Sequence, residues 1–591
     1  MAAGWSEGIV MQGRWLIEGL TLLVLASGLR AQEVGKTPAQ RYAHVQDLNN
    51  RAAVVLRPPK EGLPSEEALL ALQLARQAQA ELDTLESGLR DDAGMLDRAE
   101  DRRFDAVLRQ AAAEAALGDH AAALDALERL RRLRMYAQDA DFLLKIPGLR
   151  PLQGEPRFRA LVADLRRIDR RWKASALMPL PASGLTEAQR VAGLSLFWSE
   201  ARYNFVYFDH VPELDWNQAY LDFLPRVIAA RTLHDYYDVM MRFAPLLHDG
   251  HTDIYPPDAI ANEFLAQPPI RTTLLDGGQV AVTWVGSPAM DAKGIRVGDE
   301  LLEVDGEPVR QYARQHVAPY VSSSTSQDRH VRMYDYQLLD GDHRKPVRLK
   351  LRHGDGTTYA VDLSREPDAA VRIRPKVEWR MLPGGIAYLA VNEFEDDAGP
   401  RAFAEHLPQI LAAKGLILDV RHNGGGSASY GLDILSYLSD QSIQEEARRS
   451  LEYVPVFRAW NGSYVAWRTL ASRSFERPHE AHFRGPVAVL AGPRTFSAGE
   501  DFVVSFKLMR RGLLIGEATG GSTGQPLQFE LPGGGHARIC AKRDTWPDGT
   551  EFVGQGIAPS LRVAPTIGDA RAGRDPVVER AAAALRADVG R

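Results

Sequence analysis

A serine that follows a β-strand and opens a helix has two attributes of an acyl-transfer nucleophile. Its hydroxyl can stand clear of the backbone, and the first N–H groups of the helix are unpaired and carry positive potential. Ser497 sits in such a phrase, Val487-Ala-Val-Leu-Ala-Gly-Pro-Arg-Thr-Phe-Ser497-Ala-Gly-Glu500. The apolar run predicts a strand, and about 498–510 predicts a helix. Both features favour the oxyanion that forms when an acyl carbon is attacked. The same letters also fit a capping box, Ser497 with Glu500, which needs no catalysis.

Two further phrases offer partners. Asp419-Val-Arg-His-Asn-Gly-Gly-Gly-Ser427 follows a buried strand. Contiguous glycines let backbone approach a ligand closely, and their N–H groups suit an oxyanion hole. A phosphate loop would need Lys-Ser/Thr where Ser427-Ala-Ser stands, and the glycines do not fit a dinucleotide fingerprint. A flexible turn is the plain alternative. The other phrase is Leu246-Leu-His-Asp-Gly-His251-Thr-Asp-Ile254. A histidine can take a serine proton near neutral pH. His248 and His251 have a spacing that could hold a metal on a helix, but Gly250 breaks such a helix and no Glu completes a zinc-protease pattern. A polar turn between domains is the third reading.

The elements that must position these groups follow from periodicity. Residues 1–31 read as an export signal, with Arg14 before an apolar run and small residues at Ala26 and Ala31. The apolar run is too short for a membrane span, so no stable insertion is expected once the signal is cleaved. Residues 32–64 read as a linker. From Ser65 to about 180 the pattern is helical, and Ala111 to Leu124 resembles one tetratricopeptide-type helix pair. Residues 181–265 form an aromatic-rich helical cap that carries His251. Over 266–368 the period becomes two; Val280–Val285 is a strand, and Val347–Leu351 with Tyr359–Leu363 makes a hairpin around Asp355-Gly356. The stretch 312–345 is a long insertion for so small a domain. Over 372–566 strands and helices alternate, which predicts an α/β domain. Residues 567–591 form a C-terminal helix and tail, with Pro576 at a first helical position.

The chain has 591 residues, 25% of them charged, a formal net charge of −6 and a single cysteine, Cys540. That balance shows no basic stripe for nucleic acid, and one cysteine excludes intramolecular disulfides and cysteine-based metal clusters. Cys540, in an apolar phrase, is expected to be a buried small hydrophobe.

The ordered phrases narrow the reading. Gly415-Leu-Ile-Leu-Asp-Val-Arg-His-Asn-Gly-Gly-Gly426, Thr495-Phe-Ser-Ala-Gly-Glu500, Leu513-Leu-Ile-Gly-Glu-Ala-Thr-Gly-Gly521 and Gly554-Gln-Gly-Ile-Ala-Pro559 together resemble the C-terminal-processing (tail-specific) and tricorn-core serine peptidases. Gly294-Ile-Arg-Val-Gly-Asp-Glu-Leu-Leu302 and Val304-Asp-Gly-Glu-Pro-Val309 resemble a PDZ domain. The resemblance implies a multidomain α/β protein: a crotonase/ClpP-like α/β catalytic core, a PDZ-like β-rich domain and N-terminal helical regions. It implies a serine peptidase acting on proteins or peptides, with substrate C-termini as candidate ligands of the PDZ-like domain. No cofactor, metal or nucleic acid is implied, and oligomerisation is left open. One branch of the family activates the serine with a lysine, but Ser522 stands at that position. Lys507 lies ten residues beyond Ser497, roughly 15 Å along a helix, too far to serve. The other branch carries Asp-Gly-His, which Asp249-Gly-His251 matches, so the resemblance selects His251 as base. It further implies an acid near the Gly-x-Gly-Ile phrase, for which Glu551 is preferred to Asp548. It places Ala498 and Gly425, rather than Gly424, in the oxyanion hole. An exported, periplasmic or secreted endopeptidase is the leading expectation. An inactive relative that binds peptides or apolar ligands, or a periplasmic scaffold, is the alternative.

Overall fold

Strands that must be buried on both faces read as continuous apolar runs, and Ile386–Val391, Gly415–Asp419 and Val487–Ala491 are such runs, buried along their whole length. In the computed structural model they form the centre of a six-stranded sheet. The structure describes residues 37–56, 65–88, 93–133, 141–172, 178, 184–367, 374–470, 474–475, 479 and 481–589. The export signal expected over 1–31 lies outside the described residues. Two compact units divide at 175/176, close to the expected boundary at 180.

The first unit is helical. Its helices include Pro38–Val55, Ser65–Gly88, Ala93–Ala116, His120–Leu133 and Pro156–Trp172. The expected linker over 32–64 therefore gives way to a helix. Thr37 and Gln40 form a reciprocal capping box at its start. Val45, Leu48 and Ala52 bury a narrow stripe against Leu74, Ala78 and Leu82. The helix pair anticipated around Gly118 is present, and that glycine turns the chain at φ 83°.

In the second unit, the sheet strands lie in chain order. Val377–Leu382 pairs antiparallel with Ile386–Val391, and then Gly415–Asp419, Val487–Ala491, Gly512–Gly516 and Leu561–Arg562 add in parallel. Side chains alternate between two cores. Ile417, Ala488, Leu490 and Ile515 meet Val577, Ala581 and Leu585 of the Pro576–Val589 helix. Leu416, Leu418, Val487 and Val489 face the other way, towards Phe502, Val503 and Phe506 of the Ala498–Leu508 helix. That second core is continuous with the cap, where Phe197, Trp216 and Phe243 pack ring on ring. The cap and the sheet domain thus share one hydrophobic interior, which fixes the cap's loops over the carboxyl ends of the parallel strands.

The third layer is a six-stranded antiparallel sheet over 270–363, with Ile270–Leu274 at one edge. The insertion over 312–345 is not a peripheral loop. Val317, Val321, Met333, Tyr334 and Leu338 fill the same core as Val280, Leu301 and Leu349. Cys540 is fully buried, as expected.

Candidate active site

The strand Val487–Ala491 ends in Gly492, and five residues later the chain must start a helix. Thr495 organises the turn: its hydroxyl accepts from the Gly492 N–H at 3.1 Å and donates to the Val420 carbonyl at 2.8 Å. The turn leaves Ser497 at φ 56°, ψ −127°. A non-glycine residue in such a region costs about 1–3 kcal/mol and is held there only by its surroundings. Here the Ser497 N–H donates to the Ser522 carbonyl at 2.9 Å. The Ser497 hydroxyl makes no cap bond to the helix. Glu500 does not complete a capping box either; its carboxylate turns inward to the Gly521 and Ser522 N–H groups at 2.9 and 2.6 Å. The capping reading of this phrase is thereby excluded, and the hydroxyl is left free for chemistry.

The base arrives from the cap. A three-stranded antiparallel sheet pairs Asp253–Tyr255 with His536–Cys540, and so anchors the loop just before it. Asp249 is buried in that loop. It accepts from the His251 N–H at 3.1 Å, the Thr252 hydroxyl at 2.7 Å and the Ser324 hydroxyl at 3.2 Å. Arg332 and Arg538 both donate to the Gly250 carbonyl, at 3.0 and 3.1 Å. The His251 ring stacks on Phe496 with centroids 4.7 Å apart, and the Arg332 guanidinium also lies over that phenyl ring, 5.2 Å from its centroid.

These constraints bring His251 Nε2 to 3.0 Å from Ser497 Oγ, across 246 residues of chain. His251 Nδ1 faces Ser522 Oγ at 2.8 Å. Burial, with the charges of Arg538, Arg332 and Lys542, holds the His251 imidazole neutral well below the ordinary histidine value. A neutral imidazole beside a serine hydroxyl is a base ready to accept its proton. Burial also raises Glu500 to about 7, against the lowering effect of its Thr519, Gly521 and Ser522 donors.

The glycine loop is held by Asn423. Its side chain donates to the Val391 carbonyl at 3.0 Å and accepts from the Gly425 N–H at 2.9 Å, while its carbonyl accepts from the Phe496 N–H at 3.0 Å. Gly425 has φ 113°, and a Cβ there would fall 2.7 Å from Ser497 Cβ. The third glycine is tighter still: a Cβ at Gly426 would meet the Phe394 carbonyl oxygen at 2.1 Å. So the loop touches the nucleophile only because it is glycine. The expectation for Gly425 needs one correction. Its N–H is already committed to Asn423, so it meets an oxyanion only as a shared donor. The Ala498 N–H, at the head of the helix, has no backbone acceptor among the described residues.

Glu551 is the clear correction. It does not meet His251. Its carboxylate accepts from Arg543 and from His210 Nε2, the latter at 3.2 Å. The physical reason is charge: the buried Arg543 guanidinium also binds both oxygens of Asp209 at 2.8 Å and collects both acids. Asp209, His210 and Glu551 lie close enough to suggest a metal site. The Arg543 charge already occupies the space between the two carboxylates, so a cation does not fit them. Asp548, the other candidate, is exposed and caps its own turn at the Thr550 N–H. His248 turns outward at φ 49° and does not share a ligand site with His251. The residues that chain reasoning missed are Ser522, Asn423 and Glu500. Ser522 had a signal in its place at the position of the lysine in the other branch of the resembled family, and Glu500 stood in a matching phrase that reads as a helix cap.

Comparison with known proteins bears on the core. Residues 385–563 match the model of peptidase family S41, and residues 282–333 match that of a PDZ domain. The chain is 24% identical over 282 residues to a chloroplastic C-terminal processing peptidase of Tetradesmus obliquus, covering 48% of this chain and 56% of that protein. It is 29% identical over 292 residues to the putative tricorn protease homolog 2 of Streptomyces coelicolor, covering 49% of this chain and 22% of that protein. The chain therefore spans about half of the first relative, or less of the second. The solved structure of mature CPAF complexed with lactacystin superposes with a TM-score of 0.54 at 15% identity, covering 68% of this chain and 98% of that one. That likeness concerns the fold: a multidomain α/β protein with an S41 peptidase core, a PDZ domain and N-terminal helices.

Proposed function

We propose that this chain, with its S41 core, is a serine endopeptidase in which Ser497 is the nucleophile and His251 the general base. The observation that carries the reading is the 3.0 Å approach of a buried, neutral His251 to the strained Ser497 hydroxyl. In this reading His251 Nε2 takes the hydroxyl proton as Ser497 Oγ attacks the scissile carbonyl. The new bond is an ester to Oγ, and the carbonyl oxygen becomes an oxyanion. The Ala498 N–H and the glycine loop over 424–426 stabilise it, and one such donor is worth about a hundredfold or more in rate. His251 then hands its proton to the departing amine. Water, activated by the same imidazole, hydrolyses the acyl-enzyme. Ser522 Oγ accepts from His251 Nδ1–H and so presents the lone pair of Nε2 to the serine. The role given to Glu551 by chain position passes to this hydroxyl.

Substrates in this reading are proteins or peptides, and their C-termini are candidate ligands of the PDZ domain, whose strand at 270–274 lies at a sheet edge. The chain is read as exported on the strength of its amino-terminal signal pattern. No helix among the described residues is long and apolar enough to cross a membrane. Digestion of casein and of a peptide library by wild type, Ser497→Ala and His251→Ala tests the proposal. Either substitution is expected to remove nearly all cleavage, because such residues act as a unit. Wild-type activity retained by Ser497→Ala would contradict it.

A further inference from the structure

Three stretches far apart in the chain enclose a cavity of about 250 Å³ that neither Ser497 nor His251 lines. The cap helix Leu233–Met241 supplies Asp238 and Met241. The turn after Asp258–Ala261 supplies Glu263 and Phe264. The insertion over 312–345 supplies Tyr312 and Tyr320 from one end and Gln337 and Asp340 from the other. Sites for drug-sized ligands run from about 300 to 1,000 Å³, so this smaller cavity suits a group the size of one long side chain. Among the described residues that line it none is Lys or Arg, while three carry carboxylates.

The wall therefore combines negative charge with aromatic and apolar surface. Aromatic rings attract a cation, more strongly where water is excluded. The Tyr320 ring already makes one such contact, with the Arg242 guanidinium 4.5 Å from its centroid. Two of the acids have loose cationic partners: Asp238 accepts from Arg242 at 3.3 Å, and Glu263 faces Arg344 at 3.4 Å. Both arginines are exposed, and exposed pairs are worth little. Gln337 adds a further acceptor. Its Oε1 is buried and has no hydrogen-bond donor among the described residues. A buried acceptor without a donor is costly, so a ligand that brings N–H groups gains by reaching it. A metal ion fits this wall less well than an organic cation. Among the described residues, only Asp209, His210 and Glu551 bring three ligand atoms within 4.8 Å of one another, so Asp238, Glu263 and Asp340 are spread too widely for one ion. Met241, Leu265 and Val317 supply the apolar surface that an aliphatic stem covers.

We propose that this cavity binds an organic cation, a guanidinium or alkylammonium carried on an aliphatic stem. The cation is either an Arg or Lys side chain of a peptide or a free small amine, and the test separates the two. The inference does not depend on the peptidase reading. It does set the ligand between two segments that lead to the His251 loop. The helix Leu233–Met241 runs on through Ala244–Leu247 to Asp249 and His251. Tyr320 comes shortly before Ser324, whose hydroxyl accepts from the Gly250 N–H at 3.0 Å and donates to Asp249 at 3.2 Å. A bound cation thus joins the cap helix to the insertion, the two elements that hold that loop.

Binding to the full-length protein is measured by calorimetric titration at low ionic strength. The probes are agmatine, its neutral isostere N-carbamoylputrescine, the acetylated and amidated tripeptide Ala-Arg-Ala, and the same tripeptide with citrulline in place of arginine. Met241, on the cavity wall, reports the place of binding through its methyl resonance in methionine-methyl-labelled protein, assigned with Met241→Leu. Glu263→Gln and Gln337→Met are made separately. At least one cationic probe is expected to bind about tenfold or more tighter than its neutral isostere, the scale of a charged hydrogen bond, and to shift the Met241 methyl. Each variant is expected to bring that ratio towards one. Tighter binding of agmatine assigns the cavity to a free amine; tighter binding of the arginine tripeptide assigns it to a basic side chain. Equal affinities for charged and neutral probes, no binding of any probe at millimolar concentration, a Met241 resonance that the cations leave unmoved, or a ratio that both variants leave unchanged overturns the proposal. Should thermal unfolding show that one variant fails to fold, the other variant and the wild-type Met241 shift decide.

Discussion

Two histidines of this chain face opposite surroundings. His210 is half-buried beside Glu551 and next to Asp209, in a group that Arg543 draws together. His251 is buried; its backbone N–H donates to Asp249, while its imidazole meets two hydroxyls, those of Ser497 and Ser522, and among the described residues no carboxylate. A search for a histidine paired with an acid would choose the wrong one. His210 has the acid and no nucleophile; His251 has the nucleophile and no acid. Orientation of the imidazole, rather than a neighbouring charge, is what the cap loop and the core supply. Ser522 Oγ lies against Nδ1, Phe496 stacks on the ring, and Asp249 holds the loop.

The comparison breaks most readily at the two partners. Ser522→Ala is expected to lower kcat/KM by about a hundredfold, the cost of a misplaced catalytic group. Glu551→Gln should cost less than about tenfold, since its partners are Arg543 and His210. The reverse order of effects would return the supporting role to the acid. A second expectation concerns pH. The base works only when neutral, and burial with Arg538, Arg332 and Lys542 holds His251 below the ordinary value of about 6.5. The acid limb of kcat/KM should therefore lie below the ordinary histidine value of about 6.5, and a limb above that value would show that a carboxylate supports the imidazolium after all. The smallest effect sharpens the nucleophile side. Ser497→Gly relieves the φ 56° backbone that Ser497→Ala keeps, so thermal unfolding should place the glycine variant about 1 kcal/mol above the alanine variant. A glycine variant no more stable than the alanine one would mean that the turn is unstrained.

Much of this was legible in the chain. The apolar runs at 386–391, 415–420 and 487–491 read as strands, and although the Ser497 and His251 phrases also fit a helix cap and a polar turn, the ordered phrases taken together singled them out. The PDZ-like stretch was legible from its strand and turn residues. What was not legible is which way side chains turn. Glu551 sits at the right place along the chain, but the Arg543 guanidinium claims it. Ser522 was visible as a residue standing where a lysine would be, yet a hydroxyl's role as acceptor depends on a partner 271 residues away. Asn423 was hidden for the same reason; an asparagine after a strand reads as a turn residue until both ends of its amide find partners. The helix over 38–55 was missed because it buries only a thin stripe, which polar neighbours mask in a linear reading.

The proposed chemistry depends on one contact, the meeting of an imidazole from the cap with a hydroxyl from the sheet domain. Labelling with a fluorophosphonate, read by mass spectrometry, tests it most directly. The expected result is a single adduct on Ser497 in wild type, lost in Ser497→Ala and slowed at least about a hundredfold in His251→Ala. An adduct on another serine, or labelling of Ser497 at the same rate without His251, would contradict it.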